Sequence, residues 1–305
     1  MKIPSAIPSF LLAVAIFTSA ASAQPVPAAT QGLPQVGFSI IKTSQVAVAE
    51  RLLLPGGSLS KKINTNFSAF LIKHKQDYLL FDTGLGANIE AQYAQDMPYW
   101  ARAFFTFDKP VRPARKQLDD AGFAPVQKVI VSHGHWDHAS GVEDFPEAQI
   151  FASADEMPTI AHAKSGAGSA WPSQVAGNGI RWAPLVLQPI AHKGYAQSLD
   201  LFKDGSVVLV AMPGHTAGSI GMFVTVDSGK CYFFIGDVAW KTGALQEGAP
   251  KFWAASVVVD RNRDQTLRSV EQVRDVAQKY PDLVVVPAHD GAVQDALGYF
   301  PSWVR

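Results

Sequence analysis

Cysteine, net charge and runs of like charge are all scarce in this 305-residue sequence. The single cysteine, Cys231, excludes an internal disulfide, and its place in an apolar run predicts a small buried side chain in a strand. The 26 basic and 26 acidic residues cancel to a formal net charge of +0. The chain therefore offers no basic field to a nucleic-acid backbone, and we expect no nucleic-acid partner.

The N-terminus lacks an apolar run long enough to cross a membrane. Its apolar stretch covers residues 10–17, whereas a membrane-spanning helix needs about 20 residues. Lys2 precedes this stretch, and Ala21-Ser22-Ala23 supplies a small-x-small cleavage pattern. We therefore expect a cleaved signal peptide over residues 1–23, a periplasmic or secreted protein and no stable membrane anchor. No long Pro/Gly-rich linker follows, so residues 24–305 are predicted to form a single domain.

The most informative segment is the hexapeptide at residues 133–138, which reads HGHWDH. It follows the apolar run at 128–132, which is typical of a buried strand. Alternation along an extended chain places His133, His135 and Asp137 on one side, and a turn there brings His138 towards a neighbouring position. This arrangement suits two metal ions rather than one.

Three further apolar runs each lead into a residue type that binds metals. These runs, 207–211, 231–235 and 283–286, are predicted strands, and they are followed by His215, Asp237 and His289. A lone histidine at a strand end is usually an ordinary polar residue. Five histidines and two aspartates in the same context instead predict a metal site.

On these motifs the chain resembles the metallo-β-lactamase-fold hydrolases, over residues 67 to 300. The resemblance implies that His133, His135 and His215 hold a first metal, that Asp137, His138 and His289 hold a second, and that Asp237 bridges both. It also implies that Asp82, in an Asp-Thr-Gly turn, supports the ligand loop through hydrogen bonds.

The pattern is closest to the acyl-homoserine-lactone lactonases, which share the whole ligand set and the His289-Asp290 pair. Zinc β-lactamases generally lack a carboxylate at the position of Asp237. The glyoxalase II branch carries a helical C-terminal domain, for which the residues after His289 leave no room. One departure is Trp240, where those lactonases place a tyrosine that polarises the lactone carbonyl; an indole can donate only one hydrogen bond.

The expected chemistry is hydrolysis. Two divalent ions would lower the pKa of a shared water to about 7 and so supply a hydroxide nucleophile. Histidine and carboxylate ligands suit Zn²⁺ best, although manganese, iron and cobalt stay open. Asp137 or Asp237 would pass a proton to the leaving group, and Trp240 is the third candidate catalytic residue.

The predicted substrate is a small apolar lactone or ester, with acyl-homoserine lactones favoured by the resemblance. The alternative is an organophosphate or aryl-ester hydrolase of the same fold. A β-lactamase and a non-catalytic metal-binding protein are the remaining interpretations.

The predicted fold class is mixed α/β (α+β). Strands are expected near 36–41, 47–53, 67–73 and 78–81, and the clearest helix spans 265–280, with Leu267, Val270, Val273 and Ala277 at helical spacing. Alternating strands and helices predict two mixed sheets packed face to face between helices. The resemblance implies the same four-layer αββα sandwich.

Two segments are candidate walls of the site. The aromatic segment, residues 93–107, is interpreted either as a lid over an apolar substrate or as a packing surface, including the surface of a homodimer. The Gly/Ser-rich segment, residues 165–182, is interpreted as a plain surface loop rather than a rim of the site. The other histidines, His74, His162 and His192, are predicted to be surface residues.

Overall fold

The computed structural model describes residues 33–249 and 251–305. The expected signal peptide, residues 1–23, lies outside the described residues. Within the described part of the chain, no helix is both long enough and apolar enough to span a membrane.

The first sheet has six strands in the order β1 to β6. The strands are β1 (Val36–Ala49), β2 (Lys62–His74), β3 (Asp77–Phe81), β4 (Lys128–Ile130), β5 (Gln149–Ser153) and β6 (Arg181–Leu185). The pairs β1–β2 and β2–β3 are antiparallel, whereas β3 to β6 run parallel to one another. The carboxyl ends of β3 to β6 therefore meet at one edge.

The second sheet has five strands in the order β11-β10-β9-β8-β7. The strands are β7 (Ser198–Asp200), β8 (Val207–Ala211), β9 (Ile220–Thr225), β10 (Cys231–Phe234) and β11 (Val284–Val286). The pair β10–β11 is parallel, and β8 and β10 are both antiparallel to β9 between them. The carboxyl ends of β8, β10 and β11 consequently share one edge.

Most helices are short, and α9 is the longest of those described. They are α1 (Glu50–Leu53), α2 (Ile89–Asp96), α3 (Ala114–Asp120), α4 (Trp136–Ala139), α5 (Met157–Ala161), α6 (Pro172–Val175), α7 (Thr242–Gln246), α8 (Trp253–Val259), α9 (Arg263–Lys279) and α10 (Gly291–Leu297), with 3-10 turns at Tyr99–Ala101 and Val142–Asp144.

The alternation of side chains along each strand builds the layers. On β10, Phe234 packs in the central core with Phe38 and Phe70 of the other sheet, whereas the adjacent Phe233 faces outwards with Val270 and Val273 of α9. A separate apolar cluster covers the outer face of the first sheet and includes residues of α3. Two sheets thus lie between helical layers, which confirms the predicted four-layer fold.

The expected strand over 47–53 is wrong. Residues 47–49 continue β1, whose register shifts between Lys42 and Ser44, and Glu50–Leu53 form α1. The polar stretch 42–45 hid this continuity because it lacks an apolar alternation.

The clearest predicted helix is present with slightly different ends and a different buried face. It begins at Arg263, and Asn262 caps it by accepting a hydrogen bond from Gln265 N at 3.0 Å. Its buried face uses Val276 where the sequence indicated Ala277, and Leu267 is 38% exposed.

Candidate metal centre

Seven histidine and aspartate side chains gather where the two sheets present their ligand-bearing edges. His133, His135 and His215, here called the first half-site, place one nitrogen each within 4.8 Å of the others. The second half-site consists of Asp137, His138 and His289. One carboxylate oxygen and two imidazole nitrogens of these residues likewise lie within 4.8 Å of one another. The fold therefore brings together every residue that the sequence proposed as a ligand.

Asp237 lies between the half-sites. Its Oδ1 is 3.0 Å from His289 Nε2 and 3.3 Å from His138 Nε2. Its Oδ2 is 3.4 Å from His215 Nε2. The two carboxylate oxygens thus face opposite halves, as a shared ligand requires, and the assignment of each ligand to a metal stays a prediction.

The pattern of hydrogen bonds fits bound cations. The Nε2 atoms of His133, His138 and His215 and Oδ1 of Asp237 are buried without a hydrogen-bond partner. Unsatisfied buried polar atoms are costly and rare in folded proteins. These four atoms are all of ligand type and lie in the two half-sites or on Asp237, which is the arrangement that a divalent-metal centre would need.

Electrostatics favour neutral imidazoles in the first half-site. Burial holds the pKa of His133, His135 and His215 below the ordinary value, and the neighbouring imidazoles or, for His215, the Lys251 ammonium lower it further. A neutral imidazole is the form that binds a metal.

The second half-site behaves differently because carboxylates dominate it. Burial lowers the pKa of His289, but Asp237 and Asp137 outweigh it and raise the pKa to about 9. Burial also lowers the pKa of His138, but three carboxylates outweigh it and raise that pKa well above its ordinary value. They are those of Asp82, Asp137 and Asp237. Without a metal, protons on these two rings balance the carboxylates, and a divalent cation would replace them.

Ligand orientation in the second half-site comes from a buried aspartate and a backbone carbonyl. Asp82, with φ of 58°, accepts hydrogen bonds from Ser132 N at 2.6 Å and from Ser132 Oγ at 2.9 Å. His138 Nδ1 donates to Asp82 Oδ2 at 2.8 Å, and His289 Nδ1 donates to Asn66 O at 2.7 Å. These contacts fix the tautomer that leaves Nε2 free.

A second buried aspartate orients His215. His215 Nδ1 donates to Asp260 Oδ1 at 2.7 Å, and Lys251 Nζ donates to the same oxygen at 2.8 Å. Burial raises the pKa of Asp260, but Lys251 and His215 outweigh that effect and hold it well below the ordinary value. His215 therefore faces a carboxylate that stays ionised.

Glu156 joins the two loops of the first half-site. Its fully buried carboxylate accepts hydrogen bonds from Gly134 N at 2.9 Å, Thr216 Oγ1 at 2.7 Å and Gly218 N at 3.0 Å. The loops meet so closely that a Cβ on Gly218 would lie 2.1 Å from Glu156 N. One side chain thus sets the spacing between the hexapeptide and the His215 loop.

Trp240 contacts Asp237, the candidate bridging residue. Its indole Nε1 donates to Asp237 Oδ2 at 2.8 Å, which occupies the only donor of the side chain. The expected catalytic role of Trp240 stays a prediction, and the indole also lies on the wall of the cavity above the half-sites.

That cavity has a volume of about 240 Å³, with ligands of both half-sites at its floor and mostly apolar walls. The walls include Val46 and Phe67 from the first sheet, Phe104 and Phe105 from the aromatic segment, and Phe252. The cavity therefore has an apolar lining directly above the candidate metal ligands, the kind of lining that small-molecule sites usually have.

The aromatic segment both packs against the protein and borders the cavity, and its role as a lid or as a dimer surface stays a prediction. Met97 and Ala101 are buried in a cluster with Trp136, whereas Phe104 is 61% exposed and lines the cavity. Tyr99 and Trp100 are 89% and 60% exposed. The segment is therefore anchored by one set of residues and borders the site with another.

Four sequence-based interpretations differ from the structure. Residues 165–182 are not a plain surface loop, because Trp171 is fully buried and stacks on Trp136 at 5.3 Å, and Ala167 lines the cavity. His74 is not a surface residue: it is buried, stacks on Phe202 and pairs with Asp204 at 2.7 Å. His192 is half-buried, His162 is exposed as predicted, and Cys231 is half-buried rather than buried.

Sequence reasoning missed four charged residues that support the site, Glu156, Lys241, Lys251 and Asp260. Glu156 follows β5 just as the ligands follow their strands, so the same strand-end signal was available. Lys241, Lys251 and Asp260 stand in loops or at a helix end, where no periodic pattern marks a buried charge.

Comparisons with known proteins agree with the fold. The model of the Metallo-beta-lactamase superfamily matches residues 67–289. A probable metallo-hydrolase of Mycobacterium tuberculosis is 29% identical over 192 residues, which cover 58% of this chain and 59% of that protein. The N-acyl homoserine lactonase AttM of Agrobacterium fabrum is 28% identical over 178 residues, 57% of this chain and 62% of that protein.

The match spans about three fifths of the length of these curated relatives. Among solved structures, a quorum-quenching N-acyl homoserine lactone hydrolase superposes with a TM-score of 0.67 at 15% identity, covering 89% of this chain and 99% of that chain. At this identity the structural likeness shows the fold.

Proposed function

Since the chain belongs to the metallo-beta-lactamase superfamily, we propose that it is an exported hydrolase with two divalent metal ions. This hydrolase would open lactones or esters, and acyl-homoserine lactones are the favoured substrates. Zn²⁺ is the proposed metal, because imidazole and carboxylate donors suit it. The observation that carries the proposal is the convergence of the two half-sites and Asp237 on the floor of an apolar cavity.

Bound metals would acidify water and polarise the substrate carbonyl at this floor. Asp137 lines the cavity, with Oδ2 at 3.2 Å from His289 Nε2. Burial raises the pKa of Asp137, but His138 and His289 outweigh it and hold the carboxylate ionised at neutral pH. Asp137 is thus able to accept the proton of the attacking water and to pass it to the leaving alcohol.

The shape of the cavity supports an acylated substrate. Val46, Leu52, Phe104 and Phe252 line it away from the ligands, so an acyl chain would bury apolar surface there while its lactone ring lies over the half-sites. The relationship to AttM, whose name states N-acyl homoserine lactonase activity, supports the same substrate class.

Trp240 favours a second candidate, an aryl-ester or organophosphate hydrolase. Its indole N–H is bonded to Asp237 and is therefore not free to polarise a lactone carbonyl. The aromatic side chains Phe104, Phe105 and Phe252 on the walls suit an aryl group.

A substrate panel tests the proposal. The purified mature protein, with its metal content measured alongside, is assayed on a long-chain acyl-homoserine lactone, a simple lactone, an aryl ester, a phosphotriester and a β-lactam. We expect the acyl lactone to be hydrolysed fastest. Preference for the aryl ester or phosphotriester would favour the second candidate, and no hydrolysis by protein holding two metals would contradict an enzymatic role.

Export and self-association are proposed on separate grounds. The N-terminal pattern supports cleavage after Ala23, which N-terminal sequencing of the periplasmic or secreted protein would test.

The exposed Tyr99 and Trp100 beside buried Met97 and Ala101 support a homodimer through the aromatic segment. Light scattering on the purified protein would measure its mass.

A further inference from the structure

Two buried lysines lie beneath the candidate metal centre, and neither has a direct part in the chemistry proposed above. Lys251 is 3% exposed and Lys241 is 5% exposed. Lysine is rarely buried unless its ammonium is fully paired, because removing the charge from water is costly. Two such residues under one site call for a specific role.

Lys251 is connected to the first half-site. Its Nζ donates to Asp260 Oδ1 at 2.8 Å, and that oxygen also accepts the hydrogen bond of His215 Nδ1. The same Nζ donates to the backbone carbonyl of Asp237 at 2.6 Å. It lies 5.5 Å from the ring centroid of Trp240, whose N–H bonds the Asp237 carboxylate. One ammonium therefore connects the partner of His215, the backbone of Asp237 and Trp240.

Lys241 is connected to the second half-site. Its Nζ donates to the backbone carbonyl of His289 at 2.8 Å and to that of Asn64. Two residues further along β2, the carbonyl of Asn66 accepts the hydrogen bond of His289 Nδ1. Lys241 thus ties the His289 loop to the strand that orients the His289 ring.

We propose that Lys251 and Lys241 are positioning residues, one for each half-site, and that each sets the metal affinity of its own half. A lysine has three donors on a long stem, so it can join backbone carbonyls and a carboxylate from separate loops. Loss of Lys251 would remove the cation that holds Asp260 Oδ1 and leave Ser256 Oγ on the other oxygen. It would thereby loosen the carboxylate that orients His215, which belongs only to the first half-site. Loss of Lys241 would free the His289 backbone in the second.

This inference rests on the metal centre of the proposed function, and it is tested without substrate. Lys251→Met and Lys241→Met keep an apolar stem of similar length and remove the donors. Each full-length variant is loaded with Co²⁺. Occupancy of each half-site is measured by anomalous scattering in crystals, and affinity is measured by competition with a chromophoric chelator.

The two variants act as controls for each other. Removing partners that orient metal ligands typically weakens metal binding about 10- to 100-fold. We expect Lys251→Met to weaken the first half-site by that factor and the second by less, because Lys251 reaches the second only through the backbone of the shared Asp237. We expect Lys241→Met to weaken the second half-site and to leave the first as in the wild type. Equal loss at both half-sites in either variant, or no loss, would overturn the proposal.

A further variant covers the case in which Lys251→Met does not fold, since it leaves the buried Asp260 carboxylate without its lysine partner. In Lys251→Met/Asp260→Asn both charges are removed, and the amide oxygen can still accept the hydrogen bond of His215. We expect the first half-site to be weakened here too, and wild-type affinity would refute the role of Lys251. Wild-type protein that binds both ions but hydrolyses none of the panel would remove the proposed activity and leave this inference standing.

Discussion

The two half-sites differ in charge although they share an edge of the fold. The first consists of three imidazoles whose pKa values are lowered by burial, so it is neutral before a metal arrives. The second contains Asp137 and two imidazoles whose pKa values are raised by carboxylates. A metal entering the first half-site displaces few protons, whereas one entering the second must displace protons from His138 and His289.

The two half-sites also differ in the groups that surround them. In the first half-site, Glu156 joins the hexapeptide to the His215 loop through hydrogen bonds to Gly134 N and Gly218 N. The second half-site contains Asp137, a carboxylate that lines the cavity and can carry a proton. We infer that the first half-site fixes the centre in place and that the second contributes more of the acid–base chemistry.

The largest expected effect comes from removing a ligand of the first half-site. His135→Ala should lose one metal and nearly all hydrolysis, because two imidazoles and a shared carboxylate bind a divalent ion poorly. Metal analysis and the initial rate on the preferred substrate of the panel measure both. Full metal content together with a full rate would refute the assignment of His135.

A smaller loss is expected when the loops of the first half-site are separated. Glu156→Gln places an amide NH₂ against donors that now bond a carboxylate, and about a 10- to 100-fold loss of first-metal affinity should follow. Chelator competition measures it, and Glu143→Gln, a half-buried carboxylate that makes none of these contacts, serves as the control. Wild-type affinity in Glu156→Gln would show that the loops hold their spacing without this carboxylate.

The contrast of Lys251 and Asp260 with the ligands also shows what the sequence could predict. His133, His215, Asp237 and His289 follow apolar strands, and strand ends can be found from periodicity alone, so the edge of the fold and the donor set were predictable. Lys251 and Asp260 meet only because the loop after α7 and the end of α8 fold against the His215 loop. Such contacts depend on tertiary packing, which leaves no periodic pattern in the sequence.

The same limit explains the errors in the fold. Residues 42–45 are polar, yet they continue β1 because β2 pairs with the strand on both sides of its register shift. Trp171 looked like part of a loop, but it is buried against Trp136 of the hexapeptide. Partners distant in the sequence decided both outcomes.

The charge difference between the half-sites predicts that the metal-free protein loses stability towards both acid and alkaline pH, each for a different reason. Histidines whose folded pKa is lowered cost stability as pH falls below about 6.5, because the unfolded chain then binds more protons. His289, whose folded pKa is raised to about 9, contributes stability below about 6.5 that is lost as pH rises through 9. Urea unfolding of the metal-free protein from pH 5 to 10 should therefore show maximum stability near pH 6.5, with a fall on either side.

Variants assign the two limits to the two half-sites. His289→Gln should flatten the alkaline side of the stability profile, and His135→Gln should flatten the acid side. If both variants changed the same side, the half-sites would not differ in charge as described.

The smallest expected effect concerns Trp240, which lies beside the boundary between the halves. Trp240→Tyr offers a phenol that can both donate and accept, and we expect lactone turnover to rise while aryl-ester turnover stays the same. Trp240→Phe, which removes the donor, should lower both, because Asp237 Oδ2 loses the hydrogen bond of 2.8 Å that helps to hold it between the half-sites. If lactone turnover is unchanged or lower in Trp240→Tyr, the donor at this position acts on Asp237 and not on the substrate, which would favour the aryl-ester or organophosphate alternative.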